Sequence, residues 1–147
     1  MDKLTFKNSP WTAETLFEIP FFDIDIMEVA WHGHYIKYFE IGRATLLRKI
    51  NYDYPQMKES FYSWPVIEVQ CRYVTPATYG MKVVISAAVV EFENRFKLYY
   101  QIRNAETNRK ICKGHTVQVA VDMRTKEMCY ASPEILIKKL EQFKDNT

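Results

Sequence analysis

From Gly33 to Ile50 the chain reads HYIKYFEIGRATLLRKI after the glycine, and its apolar residues cover a broad arc of a helical wheel. Tyr35, Tyr38, Phe39, Gly42 and Leu46 form one stripe at spacings of three and four, and Ile36, Ala44 and Leu47 fill the face beside it. A helix apolar over so much of its circumference is a buried one, so the rest of the chain must be built around it. The later segments carry strand patterns instead. Val66 to Val74 (VIEVQCRYV) mixes β-branched, aromatic and polar residues as a half-buried strand does. Met81 to Glu93 is a long, almost continuously apolar strand, and Glu93-Asn94-Arg95 reverses the chain. Phe96 to Arg103 then alternates, with Phe96, Leu98, Tyr100 and Ile102 on one face and Lys97, Tyr99, Gln101 and Arg103 on the other.

The remaining segments complete the plan. Ala13 to Phe22 reads as a first strand whose end Pro20 turns into an edge or a bend. Pro55 to Ser63 is a loop with a short turn, Thr75 to Gly80 a turn, and Asn104 to Arg109 a second hairpin loop before a strand over Ile111 to Asp122. Ser132-Pro133-Glu134 opens a last helix running to Phe143, with Ser as its cap and Pro at its first position. Hairpins rather than helical crossovers join the later strands, which argues against a parallel α/β sheet. The predicted class is α+β: one domain over residues 1–147, an antiparallel sheet wrapped around a long central helix. Such a sheet leaves an edge strand and an outer face, so pairing into an oligomer is expected.

Composition narrows the partners. With 48% hydrophobic residues and only 4 Gly and 6 Pro, the chain has the apolar surface that a disordered segment lacks. Its 20 basic and 18 acidic residues are spread evenly, without the basic cluster that nucleic acid requires, although a small anionic ligand needs only a few cations. Three cysteines (Cys71, Cys112 and Cys129) cannot all pair within one chain and lack metal-ligand spacing, which fits reduced thiols in the cytoplasm. The N-terminal residues hold no apolar run of the secretion type, and the longest apolar stretch, Val83 to Val90, is far too short to span a bilayer.

Most of the ionisable interest lies between Phe21 and Tyr35 (FFDIDIMEVAWHGHY). Asp23 and Asp25 share one side of an extended segment and lead through a turn to His32, His34 and the start of the helix. The backbone N–H groups near His32 sit where orphan donors and the helix dipole favour negative charge. A carboxylate facing such a terminus pairs a base or nucleophile with oxyanion donors. The same Asp can equally be a helix cap or a first-turn partner, and Asp23 reads as a residue that orients backbone. His32 and His34, at i and i+2, diverge on a helix and do not suit a metal.

The run from Asp25 through Val29-Ala30-Trp31-His32-Gly33-His34-Tyr35-Ile36-Lys37-Tyr38-Phe39-Glu40 to Arg43 resembles the signature of the 4-hydroxybenzoyl-CoA thioesterase family of the hotdog superfamily. The likeness continues through Trp64-Pro65-Val66 to Thr75-Pro76-Ala77-Thr78-Tyr79-Gly80-Met81-Lys82 and covers the chain from about Phe17 to the last helix. The resemblance implies a hotdog fold, a homodimer and often a tetramer with sites at the dimer interface, and cofactor-free, metal-free hydrolysis of an acyl-CoA or acyl-carrier-protein thioester. It puts the catalytic carboxylate on Asp25, as nucleophile or general base, and the carbonyl-polarising backbone N–H on His32.

Two positions depart from the family pattern: Glu28 stands where Gly is common, and His34 where Asn is usual. Glu40 matches the carboxylate that a sister branch of the superfamily uses. Tyr35 is a candidate lining residue, with Trp31, Phe61, Tyr62 and Trp64 as further aromatics for an acyl or aryl tunnel. Arg95 is a candidate for the substrate's phosphates, with Lys97, Arg124 and Lys126 beside it. The rival reading is a hotdog module that binds an acyl group or a carrier protein without turning it over.

Overall fold

The computed structural model describes residues 3–144; Met1, Asp2 and residues 145–147 lie outside it. Five strands form one antiparallel sheet: β1 (Thr12–Glu18), β3 (Val66–Tyr73), β4 (Lys82–Glu91), β5 (Phe96–Asn104) and β6 (Lys110–Gln118). Their spatial order is β1-β4-β5-β6-β3, so β1 and β3 are the two edges. Helix α1 (His34–Lys49) packs on one face of this sheet. A short helix α2 (Tyr54–Glu59) follows, and β2 (Tyr62–Ser63) pairs with β7 (Val121–Asp122) in a small ribbon. Helix α3 (Glu134–Gln142) ends the fold.

Contact between α1 and the sheet is close because the sequence puts a glycine where the two meet. A Cβ on Gly42 would lie 2.6 Å from Ile85 Cγ2, so any side chain there would push helix and sheet apart. One turn earlier, the ring of Phe39 stacks on Tyr100 of β5 at 4.6 Å between centroids. Tyr35, Tyr38, Phe39, Leu46 and Leu47 are buried, and burying a side chain of that size stabilises by about 2 kcal/mol. That burial holds a helix of this length, which in isolation would be marginal. The alternation read in β5 is present as read, with Phe96, Leu98, Tyr100 and Ile102 all buried.

Several expectations need correction. The first strand stops at Glu18, and residues Phe21–Asp23 form a turn of 3-10 helix after Pro20, whose missing N–H cannot continue a ladder. Helix α1 is the buried helix expected, but Ile36, read as part of its apolar arc, is exposed. Strand β3 is mostly exposed rather than half-buried: Val66, Ile67, Val69 and Tyr73 all reach solvent along this edge. The long last strand is two pieces, β6 and β7, broken at 119–120. Pro133, not Ser132, holds the cap position of α3 in extended conformation (ψ 149°), and Ser132 Oγ is buried without a partner. All three cysteines are free thiols.

Candidate active site

The site is built from the chain between β1 and α1. After the 3-10 turn, Ile24 bridges Ala30, closing a tight hairpin between them. Within it the Glu28 N–H donates to the Asp25 carbonyl at 3.0 Å and the Asp25 N–H to the Val29 carbonyl at 2.9 Å. Glu28 has φ +66°, the left-handed conformation that such a hairpin demands of its last loop residue and that glycine adopts most cheaply. Glu28 therefore holds this turn at the expense of backbone strain. Two further bonds anchor the hairpin to the fold: Ala30 N–H to the Ala77 carbonyl at 2.8 Å, and Trp31 N–H to the Asp23 carbonyl at 3.0 Å.

Within this segment the two acids part company. Asp23 is 1% exposed and accepts hydrogen bonds from Lys37 Nζ at 2.7 Å and Tyr38 Oη at 2.6 Å, with His34 Nε2 at 3.8 Å. Burial alone would raise its carboxyl, but the Lys37 and Tyr38 bonds outweigh burial and hold it below the ordinary carboxylate range. Asp25 accepts one bond, from the Met27 N–H to Oδ1 at 2.9 Å. Its other oxygen makes no hydrogen bond among the described residues.

Asp25 opens on a cavity of about 250 Å³. The hairpin supplies Asp25, Val29 and Ala30 to its wall, the start of α1 supplies His32 and Tyr35, and the end of β3 with the turn after it supplies Tyr73, Val74, Thr75 and Pro76. Tyr35 is buried, and its hydroxyl accepts the Ala77 N–H at 3.1 Å. The entry to α1 is tight. Its cap is Gly33, where a Cβ would collide with the Trp31 indole. The Trp31 carbonyl accepts the His34 N–H at 2.9 Å, and the His32 carbonyl accepts the Tyr73 hydroxyl at 2.6 Å. The N–H groups of His32 and Gly33 make no hydrogen bond among the described residues. They are two adjacent orphan donors at the positive end of a helix, with His32 on the wall of the cavity that also holds Asp25.

Among the other candidates, His34 turns toward Asp23 and is not on the cavity wall. Glu40 is exposed and paired to Arg43 at 2.8 Å, on the wall of a different cavity. Arg95 sits at the β4–β5 hairpin with its Nε 2.6 Å from Glu91 Oε2, and within one chain it is not on the Asp25 cavity wall. Tyr62 and Trp64 line a separate, mainly apolar cavity of about 450 Å³ with Tyr54, Met57 and Met123. Phe61 lies under the Arg124 guanidinium at 5.3 Å. Tyr73 escaped the sequence reading altogether: an aromatic near the end of a strand looks like packing, and only the fold shows that its hydroxyl reaches the helix start.

A family model described as the thioesterase-like superfamily matches residues 19–139. Among curated proteins, "Putative acyl-CoA thioesterase YneP" of Bacillus subtilis is 26% identical over 83 residues, 56% of this chain and 59% of that one. "Putative esterase sll0410" of Synechocystis is 30% identical over 95 residues, 64% of this chain and 57% of the relative. The chain thus spans less than two thirds of the length of either. Among solved structures, a DHNA-CoA thioesterase from Staphylococcus aureus superposes with TM-score 0.74 at 24% identity, covering 81% of this chain and 80% of its own. Slr0204, a 1,4-dihydroxy-2-naphthoyl-CoA thioesterase from Synechocystis, does so with TM-score 0.79 at 14% identity, covering 88% and 95%. The helix laid on an antiparallel sheet is the hotdog fold, and the chain belongs to the thioesterase-like superfamily.

Proposed function

We propose that this chain is a cytoplasmic acyl thioesterase that hydrolyses the thioester of an acyl-CoA or of an acyl-carrier protein. The observation that carries the reading is the meeting, at one cavity, of a carboxylate with an unengaged oxygen and a helix start with unpartnered N–H groups. A thioester carbonyl seated between them has its oxygen against the donors near His32, where the negative charge of the tetrahedral intermediate develops. Asp25 acts from the other side: either it attacks the carbonyl carbon, the thiolate leaves and water then cleaves the acyl–aspartate anhydride to free the acid, or it takes a proton from a water that attacks the carbonyl as the thiolate leaves. One well-aimed oxyanion donor is worth roughly 3 kcal/mol, so the helix start contributes on the same scale as the acid.

Tyr35, Tyr73, Val74 and Pro76 give the cavity an aromatic and apolar wall suited to an acyl or aroyl group. Aroyl-CoA substrates are also in keeping with the likeness to Slr0204, a 1,4-dihydroxy-2-naphthoyl-CoA thioesterase. The working unit is a homodimer. Strand β3 leaves one edge unpaired and exposes Val66, Ile67 and Val69, which is the surface a second copy of the same strand would cover. Antiparallel pairing of two β3 edges about a two-fold axis would bring the Ser63–Pro65 end of one copy beside the Tyr73–Pro76 end of the other. The large apolar cavity at Trp64 would then adjoin the partner's Asp25 site. Placing Lys at Val69 is expected to yield monomers by sedimentation.

Free-thiol release from a panel of acyl-CoA, aroyl-CoA and acyl-carrier-protein thioesters tests the activity, with wild type beside Asp25→Asn. Turnover that collapses in the variant supports the reading. Turnover equal in both moves the chemistry away from Asp25, and silence on every substrate in the panel favours a binding module.

A further inference from the structure

The donor turn at the start of α1 must hold its shape before substrate arrives. Two consecutive peptide units carry the unpartnered N–H groups, and each is anchored through its carbonyl. The Trp31 carbonyl is held locally by the His34 N–H at 2.9 Å. The His32 carbonyl receives only a long bond from the Tyr35 N–H, at 3.4 Å, and a short one from Tyr73 Oη, at 2.6 Å. That second anchor comes from β3, an element remote in sequence. A hydroxyl donating to the carbonyl of a peptide also draws electron density from its N–H, which strengthens that N–H as a donor.

The ring of Tyr73 is itself fixed. It packs at 5.0 Å from the Tyr35 ring and 6.1 Å from the His32 imidazole, and it forms part of the cavity wall. Burial first, and then Cys71, push the Tyr73 hydroxyl up to about 12, so it keeps its proton across the whole range in which thioesters can be assayed.

The geometry points to Tyr73 as the positioning residue of the oxyanion turn: its hydroxyl, by bonding the His32 carbonyl, fixes the His32–Gly33 peptide and so holds the two unpartnered N–H groups of the helix start in place beside the cavity. This rests on the thioesterase reading. It goes beyond that reading in giving β3, rather than the helix alone, control of the donor. Tyr73 does not touch the reacting atoms in this role, so its loss should cost less than the loss of a donor itself, which is worth a hundredfold or more.

The test is Tyr73→Phe, which keeps the ring and its packing and removes the one bond. With the best thioester from the panel, the expected result is a fall in kcat of roughly tenfold with KM within about twofold and the melting temperature unchanged. In the free protein, the Gly33 amide proton is expected to move upfield and exchange faster, a readout that needs no substrate. A wild-type kcat with an unmoved Gly33 amide overturns the inference. So does a loss of thermal stability with KM and kcat changing together, which would make Tyr73 a packing residue. Asp25→Asn measured alongside separates the two levels: an inactive D25N with a wild-type-like Y73F sinks only the role of Tyr73, whereas an active D25N sinks the site on which it rests.

Discussion

Asp23 and Asp25 leave the same short segment two residues apart, and the fold gives them opposite surroundings. Asp23 points under the helix start, where Lys37 and Tyr38 occupy both of its oxygens and solvent is excluded. Asp25 points to the cavity side, held by a single backbone N–H and left with acceptor capacity to spare. Identical carboxylates thus become a structural pin and an acid with spare acceptor capacity on a cavity wall, and the hydrogen-bond count makes the difference. A saturated acid has nothing left for substrate. An acid held in place through one oxygen has both orientation and a free lone pair.

The sharpest way to break this comparison is to neutralise each acid in turn. Asp25→Asn is expected to lower kcat by about a hundredfold or more while leaving the melting temperature where it was, because the side chain stabilises little beyond one exposed turn bond. Asp23→Ala is expected to do the reverse, costing about 2 kcal/mol in chemical denaturation. It leaves the buried Tyr38 hydroxyl without its acceptor, although Lys37, half in solvent, can turn to water. Equal effects of the two variants on kcat would erase the distinction.

Acid titration separates the pair by a smaller margin. The Asp23 carboxyl is held below its ordinary value of 3.8, so the folded state binds this proton less readily than the unfolded one. Its stabilising contribution is therefore complete above that value and is lost as the pH falls through the lower folded value. The stability gap between wild type and Asp23→Asn should be full near neutrality and close below about pH 4. A gap that persisted at lower pH would mean that Asp23 acts through packing rather than charge.

What could be read in advance followed burial. The α1 stripe and the β5 alternation were legible because their apolar faces meet this chain's own core, where period and burial coincide. Strand β3 was misread for the complementary reason: periodicity cannot distinguish a face turned to this core from one left for another molecule, and Val66, Ile67 and Val69 remain in the open. The cap of α3 was displaced by one residue because Ser and Pro are both favoured near a helix start, and only the backbone decides which is outside. In the site, the short-range motif from Asp25 to Tyr35 was legible as a unit. Tyr73 was not, because its bond to His32 joins residues 41 apart in sequence and exists only once β3 has taken its place beside the helix start.

Glu28 provides the smallest test, and one that sharpens the line between the two acids and their neighbours. Its backbone sits at φ +66°, where a side chain costs on the order of 1 kcal/mol, yet its carboxylate is exposed and is not on the cavity wall. Glu28→Gly relieves the strain and adds freedom to the unfolded chain, so the net gain is expected to be at most about 1 kcal/mol, read as a modest rise in melting temperature. Because the hairpin bonds that aim Asp25 are backbone bonds, kcat should be unchanged. If kcat instead fell with Glu28→Gly while stability rose, the third acid of the segment would be contributing charge to the reaction, and Asp25 would no longer be its sole carboxylate.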